Sequence, residues 1–302
     1  MEGGDGNFYR SLLEAVRVKP VVLGITAWLE HVPFAYWFTS VVKPSIFVEL
    51  GTHYGTSYFA FCQAVKDYLL STKCYAVDNW KGDPHAGFYS DEVFEVVSKY
   101  NYENYSGFST LLRMSFDEGV RFFEDKTIDL LHIDGYHTYE AVKHDFETWL
   151  SKLADGAFVL FHDINVKMGD FGVWKFWEEL KKNYPLNFEF YHGYGLGIIQ
   201  ISENEKSQII HFLNENAQQV RNYFSLLGKF QKLNQVEDEL VRTKQEKDEL
   251  YQKLNYIEQQ NRELQVKLNQ KEEELVRVYM SKSWRITSPL RWFRRKLRDL
   301  GV

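Results

Sequence analysis

Five short stretches carry side chains able to do chemistry, and each closes a run of β-forming residues. Glu49, Gly51, Thr52, Gly55 and Ser57 lie in IFVELGTHYGTS (46–57), Asp78 and Asn79 in YAVDNW (75–80), and Met114–Ser115 end a third run. The last two are HIDGYH (132–137) and LFHDIN (160–165). A glycine turn between strand and helix leaves the first helical amides unpaired and pointing outward, which makes an anion-binding corner. Thr56 or Ser57 could cap that helix. Asp78, 27 residues beyond Gly51, is placed to accept hydrogen bonds from a ribose diol. Together these residues point to a nucleotide-type cofactor.

A dinucleotide turn needs a small middle residue so that the backbone can touch a pyrophosphate, and here that position holds His53. The substitution suits a ligand that presents only an amino-acid carboxylate and amine, with Glu49 near the amine. S-adenosylmethionine is such a ligand. On the turn alone, an ordinary βα connection without any cofactor explains the residues as well. Asp134 and Asp163 end strands that should be neighbours, about 4.8 Å apart. They could share a hard cation such as Mg2+, with Asn165 as a neutral oxygen ligand. A cation there would lower the pKa of a substrate hydroxyl. The residue before Asp163 is His162 rather than a second acid, which tells against an all-oxygen site. Without a metal, His137 is the natural general base, with Asp134 and His162 completing the catalytic set. The bland alternative is that both aspartates cap turns. His132, inside a strand run, reads as a core histidine.

Strands are expected at 46–50, 74–78, 109–115, 128–134 and 156–163, with helices at 56–70, 91–101, 116–124, 138–153 and 172–183. NFEFYH (187–192) and LGIIQIS (196–202) read as an antiparallel hairpin. This order predicts an α/β fold, a Rossmann-like, doubly wound, mostly parallel sheet of seven strands with a C-terminal antiparallel hairpin. Ligands in such sheets lie at the carboxyl ends of the strands, where the residues above sit. Upstream, 1–7 reads as irregular and 1–45 as a helical layer, with Trp28, Phe34, Trp37 and Val41 at helical spacing interrupted by Pro33. Packing on the sheet is the simpler role for these aromatics, and a lid over the turn the alternative. Two loops, 79–91 with Trp80, His85, Phe88 and Tyr89, and 165–174, are candidate substrate loops.

Together VELGTHYGTS, YAVDNW, IDLLHIDGYHTYEAVKHDFETWLSKL, GAFVLFHDIN and the closing hairpin resemble class I S-adenosylmethionine-dependent methyltransferases. The type they resemble is the small bacterial O-methyltransferases related to macrocin O-methyltransferase and cephalosporin hydroxylase-like proteins, over about residues 25–202. The resemblance implies that Glu49, Gly51, Gly55 and Asp78 contact the cofactor, that Met114–Ser115 lie beside its adenine, and that a carboxylate group can bind magnesium. It also implies a setting among bacterial surface-polysaccharide enzymes, often beside glycosyltransferases. The expected activity is O-methylation of a sugar hydroxyl on a glycan or glycolipid acceptor. The alternative is a non-catalytic scaffold that organises glycosyltransferases through the coiled coil described next.

The 302 residues, 44% hydrophobic and 17% aromatic, can bury a full core. Domains are expected at 46–203, with a connecting helix over 204–232. From 230 to 288 the chain has neither Gly nor Pro. With Leu233 at position a, the a residues are Leu233, Leu240, Lys247, Leu254, Asn261, Leu268 and Leu275. The d residues are Val236, Thr243, Leu250, Ile257, Leu264, Lys271 and Val278. Ten of these fourteen are apolar, so 233–280 reads as a coiled coil, and Asn261 favours a parallel dimer of the chain with itself. The tail 281–302 holds seven Lys/Arg against Asp299, a net +6 that leaves the remainder at −12 to reach the total of −6. Ser288 could cap a tail helix with Pro289 in its first turn, and Leu290, Phe293, Leu297 and Leu300 line one face. A short, basic, amphipathic helix suits an anionic membrane surface. An acidic body argues against nucleic acid as partner. Two cysteines and the absence of a signal-peptide pattern or long apolar run fit a cytoplasmic protein, held peripherally at the inner face of the membrane.

Overall fold

The computed structural model describes residues 5–299, in two units that divide after Gln235. In the first unit a seven-stranded sheet runs through β1 (Ile46–Leu50), β2 (Lys73–Asp78), β5 (Ser109–Arg113), β6 (Ile128–Ile133), β7 (Leu153–His162), β8 (Asn187–Phe190) and β9 (Leu196–Gln200). A two-stranded ribbon, β3 (Gly82–Asp83) and β4 (Gly87–Phe88), stands apart from it. The strand order is β5-β2-β1-β6-β7-β9-β8. The first five strands pair in parallel, and β9 and β8 add as the antiparallel hairpin. The chain turns back at β1, and the switch opens a crevice at the carboxyl ends of β1 and β6.

Alternation along each strand divides the core between two faces. Phe47 of β1 and Leu130 of β6 meet α2 (Val32–Val42), α3 (Thr56–Asp67), α4 (Asp91–Tyr105) and α8 (Ser207–Glu215) on one side. Val48, Leu50, Leu131 and Ile133 meet α6 (Tyr139–Trp149) and α7 (Val173–Asn183) on the other. Each large apolar side chain buried this way contributes roughly 1.5–3 kcal/mol. α2 is buried nearly all round, as an apolar helix without a polar stripe must be. Trp28, Phe34 and Trp37 are therefore core residues. Pro33 does not interrupt a helix: α2 starts at Val32 and takes the proline in its first turn, where its missing N–H costs nothing.

Several expected boundaries shift. β5, β6 and β7 stop at Arg113, Ile133 and His162, so Met114, Ser115, Asp134 and Asp163 lie just past the ladder and bend into the crevice. The helix expected at 116–124 starts where expected, after a Ser115–Glu118 capping box, but is a single turn, α5 (Phe116–Gly119), followed by a 3-10 turn. Neither Thr56 nor Ser57 caps α3; its N-cap is Gly55, at φ 77. Of the stretch 1–7, residues 1–4 fall outside the described residues and Asp5 opens α1 (Asp5–Leu12).

α9 (Ala217–Met280) starts in the first unit, where Val220, Phe224, Gly228 and Gln231 are buried. In the second unit α9 is followed by α10 (Lys282–Ile286) and α11 (Ser288–Asp299). Ser281 caps α10, and Ser288 is already helical rather than a cap. Leu300 lies outside the described residues. Among the described residues no helix is long and apolar enough to cross a membrane.

Candidate active site

A cavity of about 670 Å³ lies at the carboxyl ends of β1, β2, β5 and β6. Its floor is the turn from Gly51 to Ser57. Gly51 adopts φ +86, and a Cβ on it would stand 2.1 Å from the Asp134 carbonyl oxygen, so only glycine lets the β1 and β6 ends come this close. Asp78 holds the turn from the next strand. One carboxylate oxygen accepts from the Thr52 and His53 amides at 2.8 and 3.0 Å, and the other from the Trp80 amide at 2.7 Å. A carboxylate has about four acceptor sites, so capacity remains toward the cavity. Thr52 and Thr56 also line it, and both hydroxyl oxygens are buried without a partner. Such groups call for a polar ligand.

Gly51, Thr52, Gly55, Ser57, Asp78, Asn79, Met114, Ser115 and Asp134 all line this cavity. Glu49 does not. The parallel register sets it beside His132, and its carboxylate meets His132 Nδ1 at 2.8 Å with both side chains fully buried. Burial pushes the Glu49 pKa up, with the hydrogen bond from His132 opposing. Ser115 spends its hydroxyl on the Glu118 carboxylate at 2.8 Å. Asp145 of α6, which sequence reasoning passed over, reaches the cavity wall; burial pushes its carboxyl up to about 7, with His144 opposing.

At the other end four side chains converge. The register pairs Ile133 with Phe161, which brings Asp134 level with His162. His162 Nδ1 stands 3.4 Å from both Asp134 and Asp163, and its Nε2 donates to the Gly193 carbonyl at 3.0 Å. His137 Nε2 lies 3.0 Å from Asp163 and 3.5 Å from Asp134. Burial alone would raise the aspartates. The two imidazoles overcome it, holding Asp163 near about 2 and Asp134 well below the usual carboxylate range. Burial likewise disfavours a charged His137, yet the two carboxylates push it up to about 9 and raise His162 well above the usual histidine value. The cluster is thus self-neutralised, two carboxylates against two imidazoliums. Asp134, His162 and Asp163 each offer a ligand atom within 4.8 Å of the others. Asn165 does not line the cavity: it is exposed, and its amide nitrogen donates to the Tyr191 carbonyl. The Gly193 bond fixes the His162 tautomer and leaves Nδ1 as the nitrogen able to bind a cation.

The mouth is built by the two candidate loops. His85, on the ribbon turn, meets Asp170 at 2.7 Å and stacks on Phe171 with ring centroids 4.2 Å apart. Phe171 stacks in turn on His137 at 5.0 Å, and the Gly172 amide donates to the His137 carbonyl. Of the other loop aromatics, Tyr89 packs on His53, Trp80 is a buried anchor donating to the His53 carbonyl, and Phe88 is exposed. Tyr194, from the hairpin turn, completes the wall. His31 is buried and meets the same Gly193 carbonyl at 3.0 Å.

Residues 48–164 match the family model of a methyltransferase domain. An uncharacterized protein of Sinorhizobium fredii is 51% identical over 172 residues, 57% of this chain. The chain spans only 19% of the length of that curated relative. Among solved structures, the O-methyltransferase TomG of Streptomyces achromogenes, in complex with SAM, is 11% identical at a TM-score of 0.44, covering 67% of this chain and 91% of that one. A methyltransferase of Geobacter sulfurreducens is 13% identical at a TM-score of 0.43, covering 64% and 88%.

Proposed function

We propose that the chain is an S-adenosylmethionine-dependent O-methyltransferase acting on a sugar hydroxyl of a bacterial surface polysaccharide or its lipid-linked precursor. One observation carries the reading: the glycine-turn cradle and the Asp134–His137–His162–Asp163 cluster open into a single cavity. The unpartnered Thr52 and Thr56 hydroxyls and the spare acceptor sites of Asp78 fit the polar head and ribose of that cofactor. When bound it supplies an electrophilic methyl group. The chain's own residues then hold the acceptor oxygen in line and take its proton. His137 in its neutral form is placed for that proton; the two carboxylates hold it up at about 9, and a positive charge beside them would lower it and free the neutral base. A divalent cation on Asp134, His162 and Asp163 would supply such a charge and polarise the acceptor hydroxyl. The stacked His85 and Phe171, with Tyr194 also lining the cavity, offer aromatic surface to a sugar ring.

Calorimetric titration with S-adenosylhomocysteine tests the cofactor, because no acceptor need be known. Binding is expected, with Asp78→Ala weakening it by about 10–100-fold, the usual effect of removing a charge-assisted acceptor. NAD should not compete. Folded protein that ignores S-adenosylhomocysteine would instead favour the scaffold reading.

We propose further that the tail holds the protein to an anionic membrane, at the inner face of the cytoplasmic membrane. Leu290, Phe293 and Leu297 share one side of α11, flanked by Arg291, Arg294, Arg295 and Arg298. The full chain should float with vesicles containing phosphatidylglycerol, and not with pure phosphatidylcholine vesicles. Equal flotation with both, or with neither, rejects an electrostatic anchor.

A further inference from the structure

We infer that two copies of this chain pair through α9 as a parallel, in-register coiled coil, independently of the reaction the first unit performs. All ten apolar a and d residues between Leu233 and Val278 are exposed in the single chain, Leu233 at 67% and Leu264 at 59%. A continuous apolar stripe of this length marks an association surface. At 3.6 residues per turn, the exposed Leu226, Phe230 and Leu233 fall on the opposite side of the helix from the buried Val220, Phe224, Gly228 and Gln231. One face of α9 packs on the body, and the other begins the stripe.

Charge and polarity choose the occupant and its direction. A parallel, in-register pair sets each g residue against the following e residue of the other chain. Lys253 then meets the partner's Glu258 and Lys267 the partner's Glu272, and no g–e pair joins like charges. In the core Asn261 meets its own counterpart, where two amides can hydrogen-bond to each other. Each d or a residue packs into a hole of four residues on the other helix. Lys247 therefore sits beside the partner's Glu246, and Lys271 beside the partner's Glu272.

An antiparallel pair over the same span is worse matched. It sets Asn261 against Leu250, Lys247 against Leu264 and Lys271 against Leu240. Each polar group would then be buried against hydrocarbon without a partner. The parallel arrangement also gathers both copies of α11 at one end of the pair. Two basic helices on one surface bind with avidity that a single one lacks.

Cysteine cross-linking of the full chain tests both pairing and direction. Cys62 and Cys74 are buried and free, so an added cysteine reports alone. Leu233→Cys and Val278→Cys occupy an a and a d position, one at each end of the stripe, and they would face each other in the antiparallel arrangement above. In a parallel pair each variant oxidises to a disulfide-linked dimer by itself, because facing a residues and facing d residues both lie within disulfide reach. Mixing the two variants should add no new linked species. A link that forms only in the mixture means an antiparallel pair and overturns the proposal. A monomer or trimer mass in sedimentation equilibrium overturns it as well. Neither readout depends on cofactor or acceptor, so a failure here is separate from a failure of the methyl-transfer reading.

Discussion

Replacing Asp163 with asparagine should lower methyl transfer by about 10²–10⁴-fold, the range that a positioned proton-transfer system contributes. Affinity for S-adenosylhomocysteine should stay unchanged. The substitution is unusually clean because Asp163 adopts φ 62, in the left-handed region. Asparagine tolerates that backbone better than any residue but glycine and aspartate, and it keeps the shape of the side chain. Only the charge goes. His137 Nε2 then loses its nearest carboxylate, 3.0 Å away, and the candidate cation site loses one of its two negative charges. The measurement is single-turnover transfer with and without added Mg2+, beside a titration with S-adenosylhomocysteine. Parent-like rates in the variant would remove this cluster from the chemistry. A parent rate that rises with Mg2+ and a variant rate that does not would assign the three donors to a cation.

Gly51→Ala should abolish cofactor binding outright. At φ +86 an alanine is strained by roughly 1–2 kcal/mol before any contact is counted. Its Cβ also meets the Asp134 carbonyl at 2.1 Å, a backbone atom that cannot swing aside. Overpacking of this kind adds about 1–3 kcal/mol. For a unit of this size the sum lowers the melting temperature by about 5–15 °C. Relieving the clash means parting the ends of β1 and β6, the two strands that carry the cradle and Asp134. Affinity for S-adenosylhomocysteine should therefore fall by more than about 100-fold, a loss of roughly 3 kcal/mol. Differential scanning fluorimetry and calorimetry read the two effects. A variant that melts and binds like the parent would show that the close approach is not needed.

Much of the fold was legible because it follows from local pattern. The alternating strands and helices from Ile46 to Asn183, and the closing hairpin, are runs whose period reads directly as structure. Even the misplaced strand ends have a local reason. The ladder stops one or two residues early where the chain bends into the cavity, and an apolar run does not mark that bend. Ser115 and Glu118 were a capping box in plain view, which would have committed the serine hydroxyl.

By itself the sequence determined the parts whose logic is contained within a few residues: the glycine turn after β1, the aspartates at strand ends, the seven-residue repeat of α9, and the basic tail. What it left open were meetings between residues far apart in the chain. Glu49 was a candidate for the cofactor's amine, and only the pairing of β1 with β6 set it against His132 instead. That His162 reaches Asp134 follows only from the level of β6 against β7. His85 and Asp170 are 85 residues apart and carry no shared motif; their loops meet because both leave the same edge of the sheet. Strand register is a property of the whole packed sheet, decided by which faces are buried. A side chain's partner in the next strand is therefore fixed only when the sheet has formed.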